Sequence, residues 1–182
     1  MPGVLGDEEF EQLIRLENDV FKLAIRGHAA IETELDAALM EAFVGEAPSN
    51  IRALGGFKTR LALAVGLGII PGRHKTAIEA IAKVRHDFAH GAIRELTPKR
   101  ARALLKAYGH DIEEFVREVF DTEDPIDMLR VVLVMAHGAI KFGREAERRR
   151  REAVQRALAV QKAVREQISA LRKIVEPSGE GP

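Results

Sequence analysis

The sequence predicts an all-α protein, and three observations lead to this prediction. Hydrophobic residues make up 46% of the 182-residue chain and charged residues 31%, a balance that supports a packed core and excludes a disordered chain. Aromatic residues make up only 5%, while the helix-favouring Ala, Leu, Glu and Arg are frequent. Apolar residues also recur three and four positions apart, which is the spacing of helices buried on one side.

Seven helices follow from this spacing and from capping residues. Thr97 and Asp124 are each followed by a proline, and a polar cap before proline is a strong helix start. Gly91 lies where a left-handed residue would end the fourth helix. Asp7 and either Asn18 or Asp19 are the predicted caps of the first two helices. The predicted helices cover about residues 8–17, 19–45, 54 or 56 to 66, 73–90, 98–108, 111–120 and 125–175.

The last predicted helix changes character near Gly143. Beyond Arg144 the apolar residues become fewer and lie alternately four and three positions apart, which forms a short heptad seam with Gln167 at one core position. A helix of about 50 residues would extend about 75 Å, so this segment either bends back on its own domain or reaches another chain. We therefore predict an antiparallel helical bundle over 1–143, a helical extension with coiled-coil character over 144–176, and a disordered tail over 177–182. The seam consists of Ala153, Ala157, Val160, Val164, Gln167, Leu171 and Ile174.

Several classes of protein are excluded by composition. The chain contains no cysteine, which excludes a disulfide framework and a cysteine-ligated zinc site. Its longest apolar stretch, Leu61 to Pro71, is too short to span a bilayer, and the acidic N-terminus lacks a signal-peptide pattern. We expect a cytoplasmic protein that is not bound to a membrane and needs no cofactor.

Charges are unevenly placed although the net charge is zero. Residues 1–46 contain eleven acids and three bases, whereas residues 52–106 contain twelve bases and three acids. One interpretation is ion pairing between neighbouring helices or subunits. The other is that a basic block binds an anionic partner. The run Arg148–Arg151 also has two interpretations, a solvated helix face or a contact with nucleic acid.

The segment from Lys83 to Gly91 carries the candidate chemistry. His86 and His90 are four residues apart and share a helix face. Arg85 and His90 are five apart, a rotation of about 140°, so they converge only where the helix end unwinds at Gly91. A histidine can transfer protons near neutral pH, and the planar donors of an arginine can hold a phosphate. Together these groups meet the needs of metal-independent RNA cleavage, which are proton transfer to and from the reacting oxygens and a fixed cation for the charged phosphorane.

Two other interpretations of this segment stay open on sequence grounds. His90 can cap the helix by meeting its last carbonyl groups while Arg85 pairs with an acid of the first long helix. Alternatively, His86, Asp87 and His90 can bind a metal ion, because two histidines four residues apart are a common ligand spacing on a helix.

The segment Arg85–His90 resembles the Arg-x4-6-His motif of the HEPN superfamily, in which a polar residue, here His86, follows the arginine. Residues 22–32 (KLAIRGHAAIE) and 56–68 (GFKTRLALAVGLG) are similar to the mannitol operon repressor family. That family is a branch of HEPN-like helical proteins and has an Arg-x-x-Phe-Ala-His segment after a Leu-Gly turn. The resemblance covers about residues 18–120 and excludes the segment beyond Gly143.

The resemblance implies a homodimer with facing motif helices and, by analogy with many HEPN proteins, an endoribonuclease of the toxin or defence type. Arg85 and His90 would then be catalytic, with His86 in the supporting position. The alternative is a non-enzymatic transcriptional regulator or interaction protein of the same fold, and we expect such a protein to use its dimer surface and its C-terminal helix to bind another protein or DNA. The basic block supplies the residues we expect to bind nucleic acid, namely Lys58, Arg60, Lys83 and Arg94.

Overall fold

A computed structural model of the chain describes residues 6–43, 51–120 and 123–175. These residues form seven α-helices and one short 3-10 helix, Ile51–Leu54, and contain no strand. The predicted all-α fold with a long C-terminal helix is therefore confirmed. The helices are α1 Asp7–Leu16, α2 Val20–Ala42, α3 Phe57–Gly66, α4 Gly72–Ala89, α5 Pro98–Lys106, α6 His110–Phe120 and α7 Pro125–Val175.

The helix ends follow the predicted caps with one exception. The Asp19 carboxylate accepts hydrogen bonds from the backbone N–H groups of Phe21 and Lys22, and Gly91 has a φ of 68° after the end of α4. Asp7, predicted as the cap of α1, is instead its first residue. Gly6 occupies the capping position, and its N–H donates to the Glu9 carboxylate at 2.9 Å.

Helix α2 lies at the centre of the core and makes its most extensive contact with α7. The two helices run in the same direction. At the start of α2, Arg130 of α7 donates to the Glu17 carbonyl at 2.9 Å, and towards its end Arg144 contacts Glu34 at 3.1 Å and Glu41 at 2.8 Å. Helix α1 runs antiparallel to α7, because Lys141 meets Asp7 at 2.7 Å while ring centroids of His137 and Phe10 lie 4.1 Å apart.

Two glycines let α7 approach the rest of the bundle closely. A Cβ atom on Gly27 of α2 would lie 2.5 Å from a methyl carbon of Leu133 in α7. A Cβ atom on Gly143 of α7 would lie 1.8 Å from the carbonyl oxygen of Ile69. Real Cβ atoms do not approach other atoms so closely, so a side chain at either position would force a neighbour to shift. The neighbour of Gly143 is backbone, whereas that of Gly27 is the end of a leucine side chain, which can move more easily.

Helix α7 is uninterrupted from Pro125 to Val175, and its C-terminal part does not pack on the domain. Its contacts with the bundle extend to Arg151, which donates to the Phe43 carbonyl at 3.0 Å. From Glu152 to Ser169 every side chain is exposed. The predicted tail over 177–182 and the side chains of Leu171 and Ile174 lie outside the described residues. The division at residue 143 stays a prediction.

None of the helices within the described ranges combines the length and the apolar composition needed to cross a bilayer.

Candidate functional site

The predicted motif lies at the C-terminal end of α4, with Arg85, His86 and His90 all exposed. The imidazole rings of His86 and His90 have centroids 4.2 Å apart, so the two histidines share a face as their spacing predicts. His90 is the C-terminal cap of α4, and its own N–H donates to the His86 carbonyl at 3.0 Å. The chain then turns at Gly91, which leaves both rings at the edge of the helix.

Arg85 has no hydrogen bond or ion pair with any residue in the described part of the chain. The pairing with an acid of the first long helix, one alternative for this residue, is therefore not found there. Glu32 and Asp36 of α2 are instead occupied by Arg60. The guanidinium donors of Arg85 face solvent and can bind an anion.

The metal-binding alternative finds no support in the side-chain arrangement. The Asp87 carboxylate accepts a hydrogen bond from Lys83 at 3.2 Å. Within the described ranges, no group of three or more histidine, aspartate or glutamate side chains is placed to hold a metal ion.

An open cleft of about 830 Å³ lies between α3 and α4, beside the motif. It shares Arg85 and His86 with the motif, whereas His90 is outside its wall. Most of the wall is apolar, and basic side chains stand around it. The lining residues are His28, Gly56, Phe57, Lys58, Thr59, Thr76, Glu79, Ala80, Ala82, Lys83, Arg85 and His86.

His28 also lines this cleft, although the sequence pattern assigned it no role. It is only 6% exposed, and its ring lies 4.6 Å from that of Phe57. Burial lowers the pKa of His28 to about 4; nearby Glu32 opposes this shift, while the positive charges of Arg85 and Arg60 reinforce it. Its Nε2 atom is buried without a hydrogen-bond partner in the described residues. The helical spacing of His28 between Ala24 and Ile31, both buried, was the signal that could have placed it inside.

The four residues predicted to bind nucleic acid do not form one surface. Lys58 and Lys83 line the cleft, and Arg94 is exposed in the segment between α4 and α5. Arg60 requires a correction: it is 3% exposed, and its guanidinium pairs with Glu32 and Asp36. The two terminal nitrogens of this guanidinium are held by carboxylates and its Nε is buried, so Arg60 offers no accessible donor to a phosphate and joins α3 to α2 instead.

Internal ion pairing accounts for part of the alternating charge blocks. Arg144 of α7 joins Glu34 and Glu41 of α2, and Arg150 and Arg151 of the arginine run both pair with Glu147. Lys58, Arg85 and Arg94 have no such partner among the residues described and remain exposed. Basic side chains without a partner thus lie in the cleft and in the segment after α4, and others, such as Arg26, Lys99 and Arg148, are exposed elsewhere on the described surface.

Comparisons of the chain with protein-family models, with curated proteins and with solved structures gave no match.

Proposed function

We propose that this chain is an HEPN-like protein that cleaves RNA without a metal ion, as a homodimer, through Arg85, His86 and His90. The observation that supports the proposal is the pair of exposed imidazoles with ring centroids 4.2 Å apart, one of them next in the chain to a guanidinium without an acidic partner. The resemblance of the Arg85–His90 segment to the HEPN motif supplies the class of reaction.

The proposed reaction uses the two imidazoles as base and acid. A neutral imidazole takes the proton of a ribose 2′-hydroxyl, whose oxygen then attacks the adjacent phosphorus. The second imidazole, in its protonated form, gives a proton to the departing 5′-oxygen. The products are a 2′,3′-cyclic phosphate and a free 5′-hydroxyl. Arg85 donates to the non-bridging oxygens as charge develops on them.

A second copy would bring the same groups to the opposite side of the bound RNA. The motif residues lie at the exposed end of α4, where another chain can approach them. Facing copies would place two guanidiniums and four imidazoles around one groove.

The test is incubation of the protein with a mixed RNA pool in EDTA, followed by analysis of fragment ends. We expect His90→Ala to lower the cleavage rate by about 100-fold or more, the usual contribution of a general acid or base. His110→Ala is the matched control, because the His110 side chain is 86% exposed and belongs to α6 rather than to the motif helix. Equal cleavage by the wild type and His90→Ala, or none by either, removes the ribonuclease proposal.

A second candidate function is that of a non-enzymatic regulator or interaction protein of the mannitol repressor type. It is supported by the exposed end of α7, where Val154, Leu158, Val160, Val164 and Ile168 are 46–63% exposed. This function predicts that a chain ending at Arg151 folds but no longer binds its protein or DNA partner. A cut at Gly143 would be less informative, because it also removes Arg144 and its contacts with α2. Unchanged binding and oligomeric state after truncation would refute this candidate.

A further inference from the structure

The cleft between α3 and α4 has the features of a site for a flat aromatic ring. The half-buried ring of Phe57 packs at a tilt of 56° against the buried ring of His28, with centroids 4.6 Å apart, and the small side chains of Ala80 and Ala82 also line the cleft. The volume of about 830 Å³ lies within the range of small-molecule sites, roughly 300–1,000 Å³. Nucleobases stack on aromatic side chains with an affinity that depends little on the identity of the base.

The charges around the cleft favour an occupant that also carries a negative group. Lys58 and Arg85 are exposed and have no acidic partner within the described part of the chain. Glu79 also lines the cleft, but Lys75 already holds its carboxylate at 2.8 Å. A phosphate at the motif side of the cleft would meet these two free cations.

His28 provides an additional reason to expect an occupant. Buried polar atoms normally have a hydrogen-bond partner, and one without a partner lowers stability. The Nε2 atom of His28 has none in the described residues, although His28 lines the cleft. A neutral imidazole has one donor and one acceptor nitrogen, and the edge of a nucleobase offers groups of both kinds.

We propose that this cleft binds the nucleobase of an RNA nucleotide whose phosphate is held by Arg85. The base lies against Phe57 and His28, and the phosphate points towards Lys58 and Arg85. The choice of a ribonucleotide rests on the proposed RNA-cleaving function. The preference for a flat ring with an anionic group rests on the cleft alone.

The test is a titration of the full chain with each of the four nucleoside 3′-monophosphates, and separately with inorganic phosphate. Isotope-labelled histidines report binding by nuclear magnetic resonance, and the His28→Gln variant identifies the His28 signal. We expect at least one nucleotide to move the His28 signal to saturation and phosphate alone to leave it in place. Ala82→Leu, which fills the cleft, should weaken binding about tenfold, and Lys58→Ala about fivefold. Lys99→Ala, which removes an exposed lysine of α5 outside the cleft, is the matched control and should bind as the wild type does.

Three results would overturn the inference: no nucleotide moves the His28 signal, phosphate moves it equally, or Ala82→Leu and Lys58→Ala bind as tightly as the wild type. Lys58 is exposed and unpaired among the residues described, so its variant stays informative even if Ala82→Leu folds poorly. Because the readout is binding, it separates the two proposals. Nucleotide binding without RNA cleavage would support the nucleotide site in the cleft and refute the ribonuclease proposal. RNA cleavage without nucleotide binding would support the ribonuclease proposal and refute the nucleotide site.

Discussion

Replacing Gly143 by alanine should destabilise the protein, although alanine favours helices more than glycine does. Gly143 and Gly138 both lie inside α7, five residues apart, and differ in their surroundings. A Cβ atom on Gly143 would lie 1.8 Å from the Ile69 carbonyl oxygen, whereas a Cβ atom on Gly138 would have nothing within 4 Å in the described structure. Gly138→Ala is therefore a matched control for the effect of helix propensity.

The magnitude follows from two opposing terms. Exchange of glycine for alanine inside a helix stabilises it by about 1 kcal/mol. Ordinary Cβ contacts begin at 3.4 Å, so α7 and the Ile69 backbone would have to separate by about 1.6 Å, the difference between 3.4 and 1.8 Å. A backbone carbonyl cannot rotate aside as a side chain can, so the cost should reach about 3 kcal/mol, the upper end of the usual range for overpacking. The net loss is then about 2 kcal/mol for Gly143→Ala, against a gain of about 1 kcal/mol for Gly138→Ala.

Thermal unfolding followed by circular dichroism measures both variants. For a chain of this length 1 kcal/mol corresponds to a shift in Tm of about 2–4 °C. We therefore expect Tm to fall by about 4–8 °C for Gly143→Ala and to rise by about 2–4 °C for Gly138→Ala. If Gly143→Ala raises Tm as much as the control does, α7 does not approach Ile69 as closely as described, and the reasoning is refuted.

Three further predictions concern charged and titratable groups. Arg60→Ala should lower the free energy of unfolding by about 3 kcal/mol in urea, because it leaves Glu32 and Asp36 without their buried partner, and a loss below 1 kcal/mol would contradict this role. Burial lowers the pKa of His28 from 6.5 to about 4 in the folded chain. Between pH 6.5 and 4 the unfolded chain therefore binds a proton that the folded chain does not. Protonation of His28 therefore does not affect the free energy of unfolding above about pH 6.5, and lowers it by roughly 3 kcal/mol as the pH drops to 4. His28→Gln should remove this part of the pH dependence. Equal slopes of the free energy of unfolding against pH in the wild type and the variant would argue against it. Arg85→Lys should slow RNA cleavage by about tenfold or more while leaving Tm unchanged, because a lysine keeps the charge but loses the planar donors; a shift of several degrees in Tm would instead indicate a structural role for Arg85.

The helices and their ends could be predicted from the sequence because both depend on local interactions. A three-and-four spacing of apolar residues identifies a helix that is buried on one side, and a cap such as Asp19 satisfies backbone donors two and three residues away. The shared face of His86 and His90 is local in the same sense, since four residues make about one helical turn.

The surroundings of the candidate site depend on contacts between distant parts of the chain, which local spacing does not determine. Arg60 and Lys58 are two residues apart in one basic block, yet packing against α2 buries the first and leaves the second in the cleft. His28 and Arg85 are far apart in sequence, and only the packing of α2 against α4 brings their charges within reach of each other.

The direction of α7 also depends on the tertiary fold. Short connections force neighbouring helices to run antiparallel, but α2 and α7 are separated by four helices and are free to run in the same direction. Their parallel packing places Arg144 beside Glu34 and Glu41. The sequence by itself therefore determined the helices, their caps and the histidine pair of the motif. Long-range packing decided which charges are buried, which stay free, and which side chains share the cleft, because these depend on the few close approaches between helices that residues such as Gly143 permit.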